Sequence, residues 1–312
     1  MKLRILLTGK RGQIGAKLAL LLPRLGEVAA FDRHELNLLN PDRVRRAIRD
    51  VQPNMIVNAA AYTSVDQAEK EEKQAHIINA DAPALMAEEA KRIGASLVHY
   101  STDYVFDGSS SLPYAETDQP NPINVYGKTK LAGEEAIRAI GASHMILRTA
   151  WVYGTSGRNF LLTILRLATE REELKVVCDQ FGAPTWSHEI AEGTARVLRQ
   201  LSQQGREAIP KFGGIYHMTA AGKTSWFEFA SVILEHASRM PRGVSWFEGT
   251  TKGQPLVTRR VTAITTDEYP TLARRPAYSV LSNSHLKQDF GLELTDWSLQ
   301  LHAVFAEGRI NG

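Results

Sequence analysis

Leu3-Arg-Ile-Leu-Leu-Thr-Gly9-Lys-Arg-Gly12-Gln-Ile-Gly15 is the stretch on which the fold turns. Its apolar run, Leu3–Leu7, shows little alternation, as expected for a strand covered on both faces. Three glycines follow at three-residue spacing, and helical periodicity then runs over Ile14–Leu25. Glycine permits a tight turn, lets backbone approach a pyrophosphate and allows close strand–helix packing. The helix start offers free N–H groups and the positive end of its dipole to phosphates. Turn glycines also occur for purely structural reasons, so the weight comes from the strand–turn–helix context.

Asp32 closes the second strand-like run and can accept hydrogen bonds from an adenosine ribose, which favours NAD. Arg33 follows it, and Lys10 and Arg11 sit in the glycine turn, where cations suit a ribose 2′-phosphate. Surface coverage explains the same cations. The expectation is NADPH, with NADH also accepted. Asn58-Ala-Ala-Ala61 follows the third run; small side chains there leave room for a flat ring, though tight packing explains them equally well.

Strands and helices alternate through the first half. Strand-like runs fall at Leu3–Leu7, Val28–Phe31, Met55–Val57, Leu97–Tyr100 and Met145–Leu147, separated by helical patterns at Ile14–Leu25, Arg43–Val51, Ala75–Ile93 and Tyr126–Ile140. This order predicts an α/β fold with a doubly wound, Rossmann-like parallel sheet. Residues 1–154 form the dinucleotide-binding part, completed by segments near 174–200 and 213–220. Residues 155–312 form mainly a smaller, discontinuous substrate lobe, with helices at Phe160–Glu170, Ile190–Leu201, Trp226–Ala237 and Trp297–Phe305.

At 312 residues, 43% hydrophobic and 23% charged, the chain has the composition of a soluble globular protein. Its net charge of +3 gives no case for nucleic acid, which calls for a clustered basic face. The single cysteine, Cys178, excludes an internal disulfide framework and a thiolate metal cluster. No stretch approaches the roughly 18 apolar residues of a membrane span, and the first residues read as a strand, not a secretory signal. The expectation is a cytoplasmic protein.

The reacting groups lie in Asn124-Val-Tyr-Gly-Lys-Thr-Lys130. Positions four apart share a helix face, so Tyr126 and Lys130 stand one above the other. A free tyrosine titrates at about 10 and is a weak acid at neutral pH. A neighbouring ammonium stabilises the phenolate and lowers that pKa. Ser101-Thr-Asp103 closes the fourth strand on the edge where open α/β sheets bind ligands, and Thr102 there can orient a carbonyl and hydrogen-bond the alkoxide. A surface helix carrying Tyr and Lys by chance, or a helix cap at Thr102, is the bland alternative. With a dinucleotide supplying hydride, the set points to carbonyl reduction.

Further runs extend the pattern: Val57-Asn-Ala-Ala-Ala-Tyr-Thr-Ser-Val-Asp66, His99-Tyr-Ser-Thr-Asp-Tyr-Val-Phe106, Arg148-Thr-Ala-Trp-Val-Tyr153, Asp179-Gln-Phe-Gly-Ala-Pro-Thr185 and Arg275-Pro276. With Gly9–Gly15 and Asn124–Lys130, these make the chain resemble, over nearly its whole length, the extended short-chain dehydrogenase/reductase family. Within that family it is similar to the reductases of dTDP-4-keto sugars. The resemblance implies reduction of the C4 ketone of dTDP-4-dehydro-L-rhamnose. It implies Tyr126 as proton donor, Thr102 as a group that tunes the transfer and contacts the sugar beside Asp103, and Lys130 on the cofactor. Gly9, Arg11, Gly12, Gln13, Ile14, Gly15, Asp32, Arg33, Ala61, Tyr62, Thr63 and Tyr100 would surround the dinucleotide. Trp151 would contact substrate, the second lobe would bind the dTDP moiety, and Arg275 would meet the diphosphate.

Some relatives hold a divalent cation between two subunits with glutamates. At the corresponding places this chain has Lys17, His188 and Ser298, with Glu189 one residue out of register. Hard cations want carboxylate oxygens, so the expectation is no metal and a monomer or weak homodimer. Two other readings stay open. One is a nucleotide-sugar epimerase or dehydratase that recycles NAD. The other is a non-enzymatic NADP-binding regulatory subunit resembling the β subunit of methionine adenosyltransferase.

Overall fold

The computed structural model describes residues 3–204 and 213–310. Five strands, β1 (Leu3–Thr8), β2 (Gly26–Phe31), β3 (Met55–Asn58), β4 (Ser96–Thr102) and β5 (Ser143–Thr149), join the strand Gly214–His217 in one sheet. Their order is β2-β1-β3-β4-β5 followed by Gly214–His217, and every pairing is parallel. Winding therefore reverses between β1 and β3, the switch point at which such sheets open a crevice at their carboxyl edge.

Residue alternation sends neighbours in one strand to opposite sides. Ile5 and Leu7 of β1 face one core, with Leu18 and Leu21 of the helix Gln13–Leu21 and Ile190, Ala191 and Leu198 of the helix Ser187–Gln204. Leu6 faces the other, with Val44 and Ile48 of the helix Pro41–Val51, Met86 of Ala82–Ile93 and Ile137 of Val125–Ile140. The unalternating apolar run of β1 is thus explained by helices on both faces.

A third core gathers Tyr153, Leu161, Leu174, Val176, Trp186, Phe229, Ile233, Leu301 and Phe305. Here the strand Glu173–Val177 pairs with Arg260–Ile264 beside the helices Phe160–Ala168 and Trp226–Ala237. The stretch expected near 174–200 to complete the first part therefore divides. Its strand lies in this third layer, while the helix Ser187–Gln204 packs against the main sheet. Leu286, Phe290, Leu292 and Leu294 also return to the main core, far along the chain from it. Among the described residues, no helix is long and apolar enough to cross a membrane.

Candidate active site

The start of the Val125–Ile140 helix is fixed by two contacts. Asn124 caps it, accepting from the Gly127 N–H at 2.7 Å while its amide nitrogen donates to the Arg274 carbonyl at 2.8 Å. Such a cap is worth about 1 kcal/mol. A Cβ on Gly127 would stand 2.1 Å from the Tyr104 carbonyl, so only glycine lets the helix begin this close to the end of β4. That approach brings Tyr126 to Thr102 and Asp103.

Tyr126 is partly exposed as a residue, but the packing around its hydroxyl pushes the phenol up to about 12. Thr102 is the hydrogen-bonding group that offsets part of this rise, and Asp103 adds to it. Thr102 Oγ1 donates to Asp103 Oδ1 at 3.0 Å and accepts from the Tyr104 N–H at 3.2 Å. Asp103 is buried, and burial pushes its carboxyl up to about 6 against hydrogen bonds from Ser279 and Thr102.

Lys130 is buried one turn along the same helix. Its Nζ donates to the Tyr100 carbonyl at 2.6 Å and lies 3.1 Å from His99 Nε2. Burial pulls its pKa down to about 8, opposed by Glu134. The lowering of Tyr126 expected from Lys130 is thus not what this geometry delivers, because the amine is turned toward β4. Beneath it, Glu134 makes a fully buried pair with Arg148, Nη2 to Oε2 at 2.7 Å. Removing one member of such a pair costs roughly 3–5 kcal/mol.

At the dinucleotide end, Gly9 adopts φ +75° and its Gly12-facing carbonyl accepts from the Gly12 N–H at 2.7 Å. A Cβ on Gly15 would lie 2.1 Å from the Gly9 carbonyl oxygen, and one on Gly9 would lie 2.8 Å from the Ala59 carbonyl. The turn is therefore closed by bare backbone at the switch point. The Gln13–Leu21 helix starts at Gly12 with no side-chain cap and no acid in its first turn, so its end suits a diphosphate. Burial pulls Asp32 upward, but N–H groups of Glu35 and His34, then Arg11 and Lys10, hold it below its ordinary value. Arg11 Nε sits 2.8 Å from the Asp32 carboxylate, and Lys10 pairs with Glu35 at 2.7 Å. Arg33 is exposed nearby.

The other expected residues are distributed as follows. Ile14 packs on the main core, while Ala61 is partly exposed and Thr63 exposed in the loop after β3. The Tyr62 N–H donates to Asn79 Oδ1 at 2.8 Å, and its hydroxyl donates to Glu71 at 2.7 Å. The Gln13 side chain is tied to Val152 and to the start of the Phe160–Ala168 helix, donating to the Val152 carbonyl at 3.4 Å and accepting from Asn159 at 2.9 Å. Tyr100 turns its ring into the core, its hydroxyl 2.7 Å from Thr194; only its carbonyl faces the site. Trp151 takes φ +46° and stacks on Trp226, ring centres 3.4 Å apart, in a slot that a Cβ on Gly182 would fill. Arg275, expected at the diphosphate, instead donates to Asp66 Oδ2 at 2.7 Å.

Two groups escaped the sequence reading. His99 and Asn58, both buried, continue the Lys130 hydrogen bonding toward β1. A histidine inside a fully buried strand was the available signal, since such a group needs polar partners. Among the described residues no three His, Cys, Asp or Glu side chains gather where they could hold a metal ion. His188 packs against the Trp186 ring, and Ser298 donates to Asp296.

The chain matches the family described as RmlD substrate binding domain over residues 2–310. It is 48% identical over 295 residues to a dTDP-4-dehydrorhamnose reductase of Burkholderia thailandensis, covering 95% of each chain. It is 42% identical over 309 residues to that of Escherichia coli K12, covering 98% of each. Among solved structures, a dTDP-4-dehydrorhamnose reductase of Bacillus anthracis in complex with NADP superimposes with a TM-score of 0.84 at 35% identity, covering 98% of this chain and 100% of that one.

Proposed function

The chain belongs to the RmlD substrate binding domain family, and on that premise we propose that it reduces the C4 ketone of dTDP-4-dehydro-L-rhamnose to dTDP-L-rhamnose, with NADPH as the preferred reductant and NADH accepted. The observation that carries this reading is the meeting of Tyr126 with Thr102 at the carboxyl edge of the sheet whose switch point holds the Gly9–Gly15 turn.

When bound, the reduced nicotinamide supplies a hydride to the ketone carbon. Tyr126 gives its phenolic proton to the oxygen as negative charge grows there. With its pKa near 12 the phenol stays protonated through the neutral range, ready to donate. Thr102 orients the ketone and turns its one hydroxyl hydrogen from Asp103 Oδ1 to the phenolate that remains, and Asp103 lies beside it for a sugar hydroxyl. Lys130 adds positive charge when protonated and donates toward the nicotinamide ribose. Gly12, Gln13, Ile14 and Gly15 supply backbone to the diphosphate, and Ala61, Tyr62 and Thr63 border the dinucleotide. Arg11 and Arg33 face the ribose phosphate, with Asp32 anchoring Arg11. Trp151 borders the sugar. With Asp66 holding Arg275, the diphosphate contact assigned to that arginine requires the pair to open.

Residues 1–154 with their returning segments carry the dinucleotide, and the lobe within 155–312 carries the dTDP end. The protein works in the cytoplasm as a monomer or weak homodimer without a bridging metal. The test is direct: dTDP-4-dehydro-L-rhamnose is mixed with NADPH and with NADH in parallel. Stoichiometric loss of reduced cofactor with appearance of dTDP-L-rhamnose is expected. A rearranged sugar nucleotide still at the oxidation level of the substrate, formed without net cofactor consumption, would point to an epimerase, and no turnover with either cofactor would overturn the proposal.

A further inference from the structure

Four buried polar side chains run in a line across the sheet to Lys130. Thr8 Oγ1, at the end of β1, donates to Asn58 Oδ1 at the end of β3 at 2.7 Å. The Asn58 amide nitrogen lies 3.0 Å from His99 Nδ1 on β4, and His99 Nε2 lies 3.1 Å from Lys130 Nζ. Thr8, Asn58, His99 and Lys130 are 2%, 1%, 0% and 2% exposed, so water does not compete for these bonds.

One main-chain group fixes the protons along this line. The Ala60 N–H also donates to Asn58 Oδ1, at 3.3 Å. That donor cannot be reversed, so it keeps the amide oxygen on its own side and the amide nitrogen toward His99. His99 Nδ1 must then accept. A neutral imidazole carries one N–H, which is left on Nε2 and aims at Lys130. An ammonium has three donors and no lone pair, so it cannot take that hydrogen bond. A free amine can, while still donating to the Tyr100 carbonyl.

We propose that His99 is a positioning residue that biases Lys130 toward its uncharged amine, through an Nε2–H tautomer held by Asn58 and the Ala60 N–H. Charging Lys130 then requires a concerted change. The Nε2 hydrogen passes to Nζ, one proton from solvent ends on Nδ1, and the Asn58 amide turns its oxygen to His99 and away from Ala60. One proton enters in total. Burial acts in the same direction on Lys130 and keeps the imidazole itself neutral, far below its ordinary titration. Of the charged groups around Lys130, Glu134 on its own helix favours the ammonium, but that carboxylate is paired with Arg148 of β5. The Ile77–Asp81 turn brings only the neutral Asn79 to Thr129 on that helix.

The inference rests on the same Tyr126–Lys130 site as the proposed reduction, but its test needs no turnover. In isotopically labelled protein, NMR of the imidazole nitrogens reads the His99 tautomer and the ε-carbon of Lys130 reads its titration. Lys130→Met and His99→Gln assign the signals. The expected result is Nε2–H above the Lys130 midpoint and Nδ1–H below it. In His99→Gln the side-chain oxygen can accept from the ammonium, so the Lys130 midpoint should rise by about one pH unit, a tenfold gain in proton affinity. Nδ1–H on both sides of the wild-type midpoint would overturn the proposal, as would an unchanged midpoint in a folded His99→Gln protein. The wild-type tautomer decides the matter alone if that variant does not fold. Loss of ketone reduction with the tautomer change intact would count against the proposed substrate and leave the role of His99 standing.

Discussion

The two ends of the crevice lie on one sheet edge and are made of different material. The dinucleotide end is backbone: Gly9, Gly12 and Gly15 pack so closely that a methyl group on Gly15 would stand 2.1 Å from a carbonyl oxygen. The reacting end is side chains: a phenol, a buried carboxyl and a buried amine, each displaced from its ordinary titration by its surroundings. One depends on atoms being absent and the other on where protons sit. Damage at the first should therefore appear as lost binding, and damage at the second as lost rate or altered pH dependence.

The largest effect should come from the reacting end. Tyr126→Phe removes the transferred proton and little volume, so turnover should fall about 10²- to 10⁴-fold, the range for a general acid. NADPH affinity, read by titrating the fluorescence of the bound cofactor, should change less than about twofold because the lost interaction belongs to the transition state. Near-normal turnover would remove Tyr126 from its role. Gly15→Ala should invert the pattern. The added Cβ must displace main chain at the turn, so NADPH binding should weaken about tenfold or more, a cost of at least about 1.4 kcal/mol. Unchanged affinity would show that the turn yields easily, and the contrast between the two ends would collapse.

Legibility in the sequence follows the same division. Features written in local spacing were readable. The apolar run of β1, the glycine turn and the helix Trp226–Ala237 appear where periodicity puts them, the last bounded by the reciprocal Ser225–Glu228 cap. The helix expected over Ala75–Ile93 instead begins at Glu72 and passes through a π-turn at Ile77–Asp81, where Gly133 of the next helix packs on the Asn79 carbonyl. Tertiary contact shaped that turn, so apolar spacing carried no trace of it. The pairing of Glu173–Val177 with Arg260–Ile264, the return of Leu286–Leu294 to the main core and the capture of Arg275 by Asp66 all join distant segments. Such matches have no local signature. The Tyr126–Lys130 spacing was readable as a shared helix face, but the direction of the amine depends on His99, thirty-one residues away on another element.

Arg11 tests the border between the two kinds of construction, since a charged side chain there is attached to the glycine turn. It is 76% exposed yet held against buried Asp32. Arg11→Ala should reduce the preference for NADPH over NADH by about three- to fivefold, because exposed charge contacts are worth at most about 1 kcal/mol. The ratio of kcat/KM for the two cofactors measures it. An unchanged ratio would assign the ribose phosphate to Arg33 or Lys10 instead.

The smallest effect is also the one that distinguishes proton placement from shape. Asp103 Oδ2 has no hydrogen-bond partner, and burial lifts the carboxyl to about 6. Below that pH the group is neutral; above it an anion stands beside Tyr126 and raises the phenol further. A rising Tyr126 pKa makes a poorer acid, so kcat should decline as pH increases through about 6. The decline should be about threefold, roughly 0.7 kcal/mol at 1.36 kcal/mol per tenfold in rate. Asp103→Asn keeps the shape and removes the titration, so its kcat should be level across the same interval even if a lost sugar contact raises KM. A step that survives in Asp103→Asn must belong to another group, and a wild-type profile with no step would mean that the carboxyl does not change charge where Tyr126 can feel it.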